Sequence, residues 1–443
     1  MSELAARIDD VLPQVMADFK TLIGIPSVSS LPYCQPDVKR TATAIVKWVR
    51  ALGCRDVQIV QEGGQPAVIA NFPGPKGTPT VCLYAHHDVQ PIGDSSAWTT
   101  PAFEAEVRDG RLYGRGAADD KCGVMAHLAA LRAFAGKPPV GVKLFIEGEE
   151  EIGSPSLPDI LAKHRDALAA DVFVIADSGN WDVGRPALTR TLRGMAECVV
   201  TVRTLEHGVH SGEFGGVVPD ALTALCRLVA TLHDETGATA VEGLHAEDGP
   251  DLDYPLDRLA HESAKLPGTQ WVGQGSAVRR MWNAPSIAVL AIDATPVAQA
   301  SNTLIPSARA KIGLRVAPGD DSGRALDCLV AHLKAHAPWG AEVEVADLQH
   351  GQPCVVPTDG PACQAAVAAM TEAWGVEPVF LGTGGSIPMI AEFRDRFPEA
   401  EILCCGACDP DSRIHGVDES LDLGDFRAFA LAEARLLEKL AAA

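Results

Sequence analysis

The stretch Thr80-Val-Cys-Leu-Tyr-Ala-His86-His87-Asp88 decides the fold, because an apolar run of strand length ends abruptly in polar side chains. Similar runs lie at Lys143–Ile146, Val172–Ala176 and Ile402–Cys405, and an apolar run at Ala67–Asn71 precedes them. Apolar runs without alternation are typical of strands in a parallel sheet that is covered on both faces. Together with helical patterns between the runs, such as Asp119–Ala135, they predict an α/β fold with a parallel sheet.

The pattern changes from about Arg193, where shorter strands and helices follow one another in a βαββαβ-like order. Helices are expected near 219–236 and 322–337, and strands at 196–202, 286–292 and 308–316. After residue 357 the first pattern resumes. We therefore expect a discontinuous main domain over residues 1–191 and 355–443, with an α+β domain inserted over residues 192–354.

Composition excludes several classes of partner. The chain has 443 residues, with 37 Lys+Arg against 58 Asp+Glu and a formal net charge of −21. Nucleic acids and anionic membranes bind clustered positive charge, so neither is an expected partner. The first residues lack the pattern of a signal peptide, and the twelve cysteines lie mostly alone in apolar surroundings. These features predict a cytoplasmic protein without a membrane span.

The strongest chemical signal is a set of metal-type side chains at the ends of the strands. The carboxyl ends of parallel strands meet at one edge of a sheet, so these side chains can converge in one crevice. Two histidines with three carboxylates suit a pair of zinc or manganese ions, and a further carboxylate can act as general base. Taken alone, the run Glu149-Glu150-Glu151 is more typical of a solvated charge cluster than of a metal site. The candidates are His86, Asp88, Asp119, Glu150, Glu151, Asp177 and His415.

Two further segments carry weaker signals. The turn Gly382-Thr-Gly-Gly-Ser386-Ile-Pro388 has the form of a backbone anion site, although it lacks the lysine of a nucleotide-binding loop. His210 lies in a glycine-rich loop of the inserted segment. It can donate to an oxyanion, or it can be an ordinary surface histidine.

Four motifs now carry a family resemblance. They resemble, in order and over nearly the whole chain, the co-catalytic metallopeptidase family that contains carnosinase, cytosolic non-specific dipeptidase, carboxypeptidase G and aminoacylase. The dipeptidase branch is the most similar. The motifs are Tyr84-Ala-His86-His-Asp88-Val-Gln-Pro91, Gly114-Arg-Gly-Ala-Ala-Asp119-Asp120-Lys121, Glu147-Gly-Glu-Glu150-Glu151-Ile-Gly-Ser154 and Gly384-Gly-Ser-Ile-Pro388.

The resemblance implies a zinc-peptidase-like catalytic domain of the α/β class, with a mixed, mainly parallel sheet and two divalent metal ions. The expected metal is zinc, with manganese or cobalt as alternatives. It implies that His86 and Asp177 bind one ion, Glu151 and His415 bind the other, and Asp119 bridges them. Asp88 would orient His86, and Glu150 would be the general base for a metal-bridged hydroxide. The Asp119–Asp120 peptide is expected to be cis, which is uncommon for a non-proline bond.

The resemblance also implies that the inserted domain is a lid and that two copies of the chain form a homodimer through it. His210 matches a lid histidine that reaches the partner subunit's active site and stabilises the oxyanion. Thr303, Arg315, Gly385 and Ser386 match substrate-contacting positions, and Arg315 suits a C-terminal carboxylate. The implied activity is hydrolysis of dipeptides or short peptides, of dipeptidase or carboxypeptidase type.

One alternative stays open. An N-acyl- or N-carbamoyl-amino-acid amidohydrolase would use the same dinuclear site on a different amide. Gly382-Thr383 stands where dipeptidase relatives often carry Arg and an acid, which bears on substrate preference. A non-catalytic relative would lack ligands or the base, and all of them are present in the sequence.

Overall fold

The strands expected from the apolar runs are present in the computed structural model, which describes residues 3–384 and 388–442. The strands are β1 (Asp56–Val60), β2 (Ala67–Phe72), β3 (Thr80–His86), β4 (Glu106–Arg108), β5 (Arg111–Tyr113), β6 (Gly141–Glu147), β7 (Val172–Ile175), β8 (Ala187–Leu192), β9 (Gly194–Arg203), β10 (Val209–His210), β11 (Ser286–Asp293), β12 (Thr303–Leu304), β13 (Ser307–Val316), β14 (Glu342–Gly351), β15 (Cys354–Val355), β16 (Val379–Thr383), β17 (Glu401–Cys404) and β18 (Ser420–Asp422). The α-helices are α1 (Glu3–Ile23), α2 (Gln35–Ala51), α3 (Lys121–Ala133), α4 (Leu157–Lys163), α5 (Arg165–Leu168), α6 (Ser211–Phe214), α7 (Ala221–Ala230), α8 (Leu256–Glu262), α9 (Ser322–Ala335), α10 (Pro361–Trp374), α11 (Pro388–Arg396) and α12 (Leu423–Ala442).

The chain divides into two compact units. The first comprises the described parts of Met1–Arg190, Val356–Leu381 and Pro388–Ala443, and the second comprises Thr191–Val355 with the segment that starts at Gly382. Among the described residues, none of the helices is both long and apolar enough to cross a membrane.

The main sheet of the first unit is mixed and largely parallel at its centre. Its strands lie in the order β1-β2-β6-β3-β7-β17-β8. Strands β6, β3, β7 and β17 run parallel to one another, whereas β2 is antiparallel to β6 and β8 is antiparallel to β17. Strand β2 is apolar without alternation because both of its faces are covered, and that pattern does not depend on strand direction. The predicted mixed, mainly parallel sheet is therefore confirmed.

Helices α1, α3, α10 and α12 pack against one another in the first unit, and α3 follows the loop that carries Asp119. Apart from Arg132, every residue of α3 is buried. The helix begins at Lys121 and not at Asp119 as predicted, because the Asp120 side chain caps it by accepting from the Gly123 N–H. Asp119 is thus left outside the helix, in the loop that faces the strand ends.

The second unit contains the expected βαββαβ order of β9, α7, β11, β13, α9 and β14. Its antiparallel sheet has the order β11-β13-β9-β14. Helix α7 ends at Ala230, earlier than the predicted 236. The reason is a turn at Asp234, whose carboxylate accepts from the N–H groups of Thr236 and Ala238.

Candidate metal centre

The strand ends of the first unit bring the predicted side chains to one edge of the sheet. Strand β3 ends at His86, which lies in register with Glu147 at the end of β6. Asp177 follows the neighbouring parallel strand β7, and its Oδ2 lies 4.0 Å from Nε2 of the buried His86. The convergence expected from parallel strand ends is therefore present.

Asp119 lies between two imidazoles. Its Oδ1 is 3.0 Å from Nε2 of His86, and its Oδ2 is 2.9 Å from Nε2 of His415. Each carboxylate oxygen thus faces a different histidine, which is the arrangement needed for a carboxylate shared by two ions. The Asp119–Asp120 peptide is cis, as predicted.

The second histidine has a carboxylate of its own. Nε2 of His415 lies 3.2 Å from Oε2 of Glu151, which also accepts from the Gln90 amide at 2.8 Å. The other oxygen, Oε1 of Glu151, is buried without a hydrogen-bond partner. His415 has a φ of +62°, which is uncommon for a residue other than glycine and aims its ring at these carboxylates.

Two groups of potential ligand atoms result, each with its atoms within 4.8 Å of one another: His86, Asp120 and Asp177, and Asp119, Glu151 and His415. Asp120 was not among the predicted ligands. Its oxygens already accept from the N–H groups of His86, at 3.2 Å, and of Gly123, at 3.1 Å. The oxygens of Asp119 face imidazole nitrogens instead, so Asp119 is the better candidate for the shared ligand.

Asp88 connects the first histidine to the glutamates. Its Oδ1 lies 3.3 Å from Nδ1 of His86. Its two oxygens also accept from the N–H groups of Glu150 and Glu151, each at 3.2 Å. The sequence predicted only the contact to His86, because the other two depend on the path of the loop after β6.

The electrostatics of the centre favour the protonated forms of Glu150, Asp177 and His415. Burial, with the negative charge of Asp177, raises the pKa of Glu150 to about 9. Burial likewise raises the pKa of Asp177 to about 7. Hydrogen bonds with Asp119 and then Glu151 raise the pKa of His415 to about 10. Protonation of these groups lowers the repulsion between the carboxylates that are buried close together.

The two histidines stabilise the ionised form of Asp119. Burial disfavours its charged form, but hydrogen bonds with His415 and His86 outweigh burial and hold the pKa of Asp119 below its usual value. Burial also opposes protonation of His86, yet its hydrogen bonds with Asp119 and Asp88 raise its pKa. The donor set of two imidazoles and three carboxylates, with the unpartnered Oε1 of Glu151, fits two divalent ions.

The remaining predicted residues lie in the second unit. His210 and Thr303 are register partners in the two-stranded sheet of β10 and β12, and both are exposed. Nδ1 of His210 accepts from the Gly212 N–H at 3.0 Å. Arg315 is exposed on β13, in a different sheet. Gly385 and Ser386 lie outside the described residues.

Arg193 was missed by the sequence reasoning. Burial and then the positive charge of Arg315 lower its pKa to about 10. Its guanidinium donates to the Ser286 hydroxyl at 3.0 Å, and its Nε is buried without a partner. Two neighbouring cations favour an anionic ligand, but only the strand pairing of Ser286 with Arg315 reveals them as neighbours.

Comparison with known proteins gives one consistent picture. The model of peptidase family M20/M25/M40 matches residues 82–439. A cysteinylglycine-S-conjugate dipeptidase of Corynebacterium striatum is 37% identical over 418 residues, which is 92% of both chains. The Cys-Gly metallodipeptidase DUG1 of Candida albicans is 27% identical over 96% of this chain and 94% of its own.

Solved structures agree in fold. The di-peptidase Dug1p of Saccharomyces cerevisiae superposes with a TM-score of 0.82 at 23% identity, over 100% of this chain and 98% of its own. Human carnosine dipeptidase 1 gives a TM-score of 0.78 at 23% identity, over 100% and 99%.

Proposed function

Because the chain belongs to peptidase family M20/M25/M40, we propose that it hydrolyses dipeptides at a centre of two divalent metal ions. The observation that carries the proposal is the position of Asp119, whose two oxygens face His86 and His415. His86 and Asp177 would hold one ion, Glu151 and His415 the other, and Asp119 would be shared. Zinc is the proposed metal, with manganese or cobalt as alternatives.

The protein's own residues supply the proton transfers. When bound, the ions supply positive charge that polarises the peptide carbonyl and makes water more acidic. Glu150 accepts a proton at its carboxylate from the attacking water and donates it to the leaving amine. The N–H of Glu150 donates a hydrogen bond to Asp88, which also contacts the ring of His86. The position of the base and the orientation of His86 therefore depend on one carboxylate.

The substrate proposal rests on the names of the relatives and on the cations of the second unit. Relatives include dipeptidases for Cys-Gly, for Cys-Gly S-conjugates and for β-Ala-His. Arg315, with Arg193 as its neighbour, would bind the free C-terminal carboxylate. Thr303, Gly385 and Ser386 are proposed to contact the same substrate.

A homodimer through the inserted domain (192–354) completes the proposal, and residues 1–191 with 355–443 form the catalytic domain. The edge strand β11 exposes Val289, Leu290 and Ile292, and exposed apolar edge residues favour pairing with a second copy. His210 would then act at the active site of the partner subunit. A cytoplasmic location stays a prediction from buried thiols such as Cys82 and Cys122.

A substrate panel tests the activity. Metal-free protein is loaded separately with zinc, manganese and cobalt, and offered Cys-Gly, S-substituted Cys-Gly, β-Ala-His, N-acetyl and N-carbamoyl amino acids. We expect turnover of the dipeptides. Faster turnover of the N-acyl or N-carbamoyl substrates would replace the dipeptidase by the amidohydrolase.

A further inference from the structure

Glu419 is a fully buried carboxylate that follows His415 by four residues and has no role in the chemistry described so far. Its Oε1 accepts hydrogen bonds from the backbone N–H groups of Ala118, at 2.8 Å, and Asp119, at 3.0 Å. Its Oε2 accepts from the N–H of Gly116 at 3.1 Å. One side chain thus binds three amides of the segment that ends at the shared ligand.

The backbone of Glu419 contacts the same segment. Its carbonyl oxygen accepts from the Gly114 N–H at 3.0 Å. Gly114 and Gly116 have φ values of +152° and +84°, which side chains other than glycine rarely adopt. A loop with two such glycines has many accessible conformations when unbound, so the hydrogen bonds to Glu419 select one of them.

Arg115 extends these contacts to two other ligand-bearing loops. The side chain is almost completely buried, and its Nη1 donates to Oε2 of Glu419 at 2.7 Å. Its Nη2 donates to the carbonyl oxygens of Gly416, at 3.0 Å, and Pro91, at 3.3 Å. Gly416 follows His415, and Pro91 lies three residues after Asp88. The pair therefore links the loop that follows His86 to the loops that carry the shared aspartate and the second histidine.

We propose that Glu419, together with Arg115, is a positioning residue that holds Asp119 between His86 and His415 and thereby sets the affinity of the centre for its metal ions. The inference rests on the proposed dinuclear function. Both side-chain oxygens of Glu419 accept hydrogen bonds from the loop, so it acts through Asp119. It acts because outer hydrogen bonds fix the geometry of inner ligands, and losing such partners typically lowers metal affinity or activity 10- to 100-fold.

The chemistry requires a carboxylate at this position. All four side-chain partners of Glu419 are donors, so both of its oxygens must accept. Glutamine has one oxygen, and its amide nitrogen would face N–H groups that it cannot bind. Glu419→Gln therefore changes the loop while keeping the side chain's size.

Metal binding is the test, because it does not depend on the choice of substrate. Metal-free parent, Glu419→Gln and the control Asp425→Asn are titrated with zinc against a competing chelator, and bound zinc is counted after dialysis. Asp425 is a matched control because it is buried and accepts from the Gly184 N–H and the Trp374 indole, outside the centre. We expect two ions in parent and control, and at least about 10-fold weaker binding in Glu419→Gln.

Hydrogen exchange gives a second measurement. The amide of Asp119 donates to Glu419, so it should exchange at least about 10-fold faster in the folded Glu419→Gln variant and stay slow in the control. Two ions bound with parental affinity, or a parental exchange rate at Asp119, would overturn the inference. A parent protein that itself binds fewer than two ions would instead overturn the proposed metal centre.

Folding of the variant is checked by circular dichroism. If Glu419→Gln does not fold, the double variant Glu419→Gln/Arg115→Met takes its place, since removing both members of a buried ion pair is far less disruptive than removing one. Failure of both variants to fold also counts against the inference, because Glu419 would then determine folding and not the position of Asp119.

Discussion

Asp88 accepts a hydrogen bond from the backbone N–H of Glu150 at 3.2 Å while its Oδ1 lies 3.3 Å from the ring of His86. The loop that carries the proposed base and the ring of the first ligand thus share one buried carboxylate. A change at Asp88 should therefore affect metal binding and proton transfer together, which neither contact alone would produce.

Replacement of Asp88 by Asn should lower metal affinity or kcat by about 10- to 100-fold, because asparagine keeps only one acceptor oxygen for these contacts. Zinc titration and steady-state kinetics measure the two quantities. Asp94→Asn is the control, since Asp94 also accepts from a loop amide, that of Ser96, but is exposed. An Asp88→Asn variant with the metal affinity and kcat of the parent would contradict this linking role of Asp88.

Loading the metal-free protein with two ions at pH 7 should release about three to four protons. Below their pKa values of about 9 and 10, Glu150 and His415 hold protons, as does His86, and Asp177 is near half-protonation at about 7. Bound cations favour the deprotonated forms, so release should fall as the pH rises through these values. A pH-stat titration counts the protons.

The variant Glu150→Gln is the control for this count, because it removes one titrating group and leaves the ligands in place. It should release about one proton fewer than the parent. Equal release from both proteins would show that Glu150 is not protonated in the metal-free centre.

Arg315→Met should raise KM about 10- to 100-fold for a dipeptide with a free C-terminus, because a hydrogen bond to a charged group contributes about 1.5–3 kcal/mol. The same dipeptide as its C-terminal amide should show little change. Arg309→Met, on the same strand but paired with Asp293, is the matched control. An equal rise in KM for the acid and for the amide would show that Arg315 does not bind the substrate's carboxylate.

Mixed dimers test the action of His210 across the subunit interface. Glu150→Gln and His210→Asn homodimers should each be nearly inactive. After exchange of subunits at equal amounts, about a quarter of the parental activity should return, since half of the dimers then have one intact site. No recovery despite verified exchange would place His210 at the site of its own subunit, or outside catalysis.

The sequence was most informative where the chemistry coincides with a strand end. His86 and Asp177 follow apolar runs, so the shared edge of a parallel sheet was enough to predict that they lie close together. The direction of β2 was not predictable, because a strand covered on both faces has the same apolar pattern in either direction. Helix starts were uncertain by a few residues, because Asp119 and Asp120 both suit the cap of α3.

The contacts around the ligands were harder to predict. Glu419 lies about 300 residues from the amides that it accepts from, and no periodicity connects positions so far apart. Arg115 reads in the sequence as one basic residue between two glycines, with no sign of its burial. The proximity of Arg193 to Arg315 likewise depends on the register between β11 and β13, which places Ser286 opposite Arg315.

The central claim is that Glu150 is the general base of a dinuclear dipeptidase, and the kcat of Glu150→Gln on the best dipeptide of the panel tests it most directly. Bound metal is counted in the same samples, so that two ions are present in parent and variant alike. We expect kcat to fall by about 10²- to 10⁴-fold with KM little changed. A variant that retains two ions and a kcat near that of the parent would contradict the account.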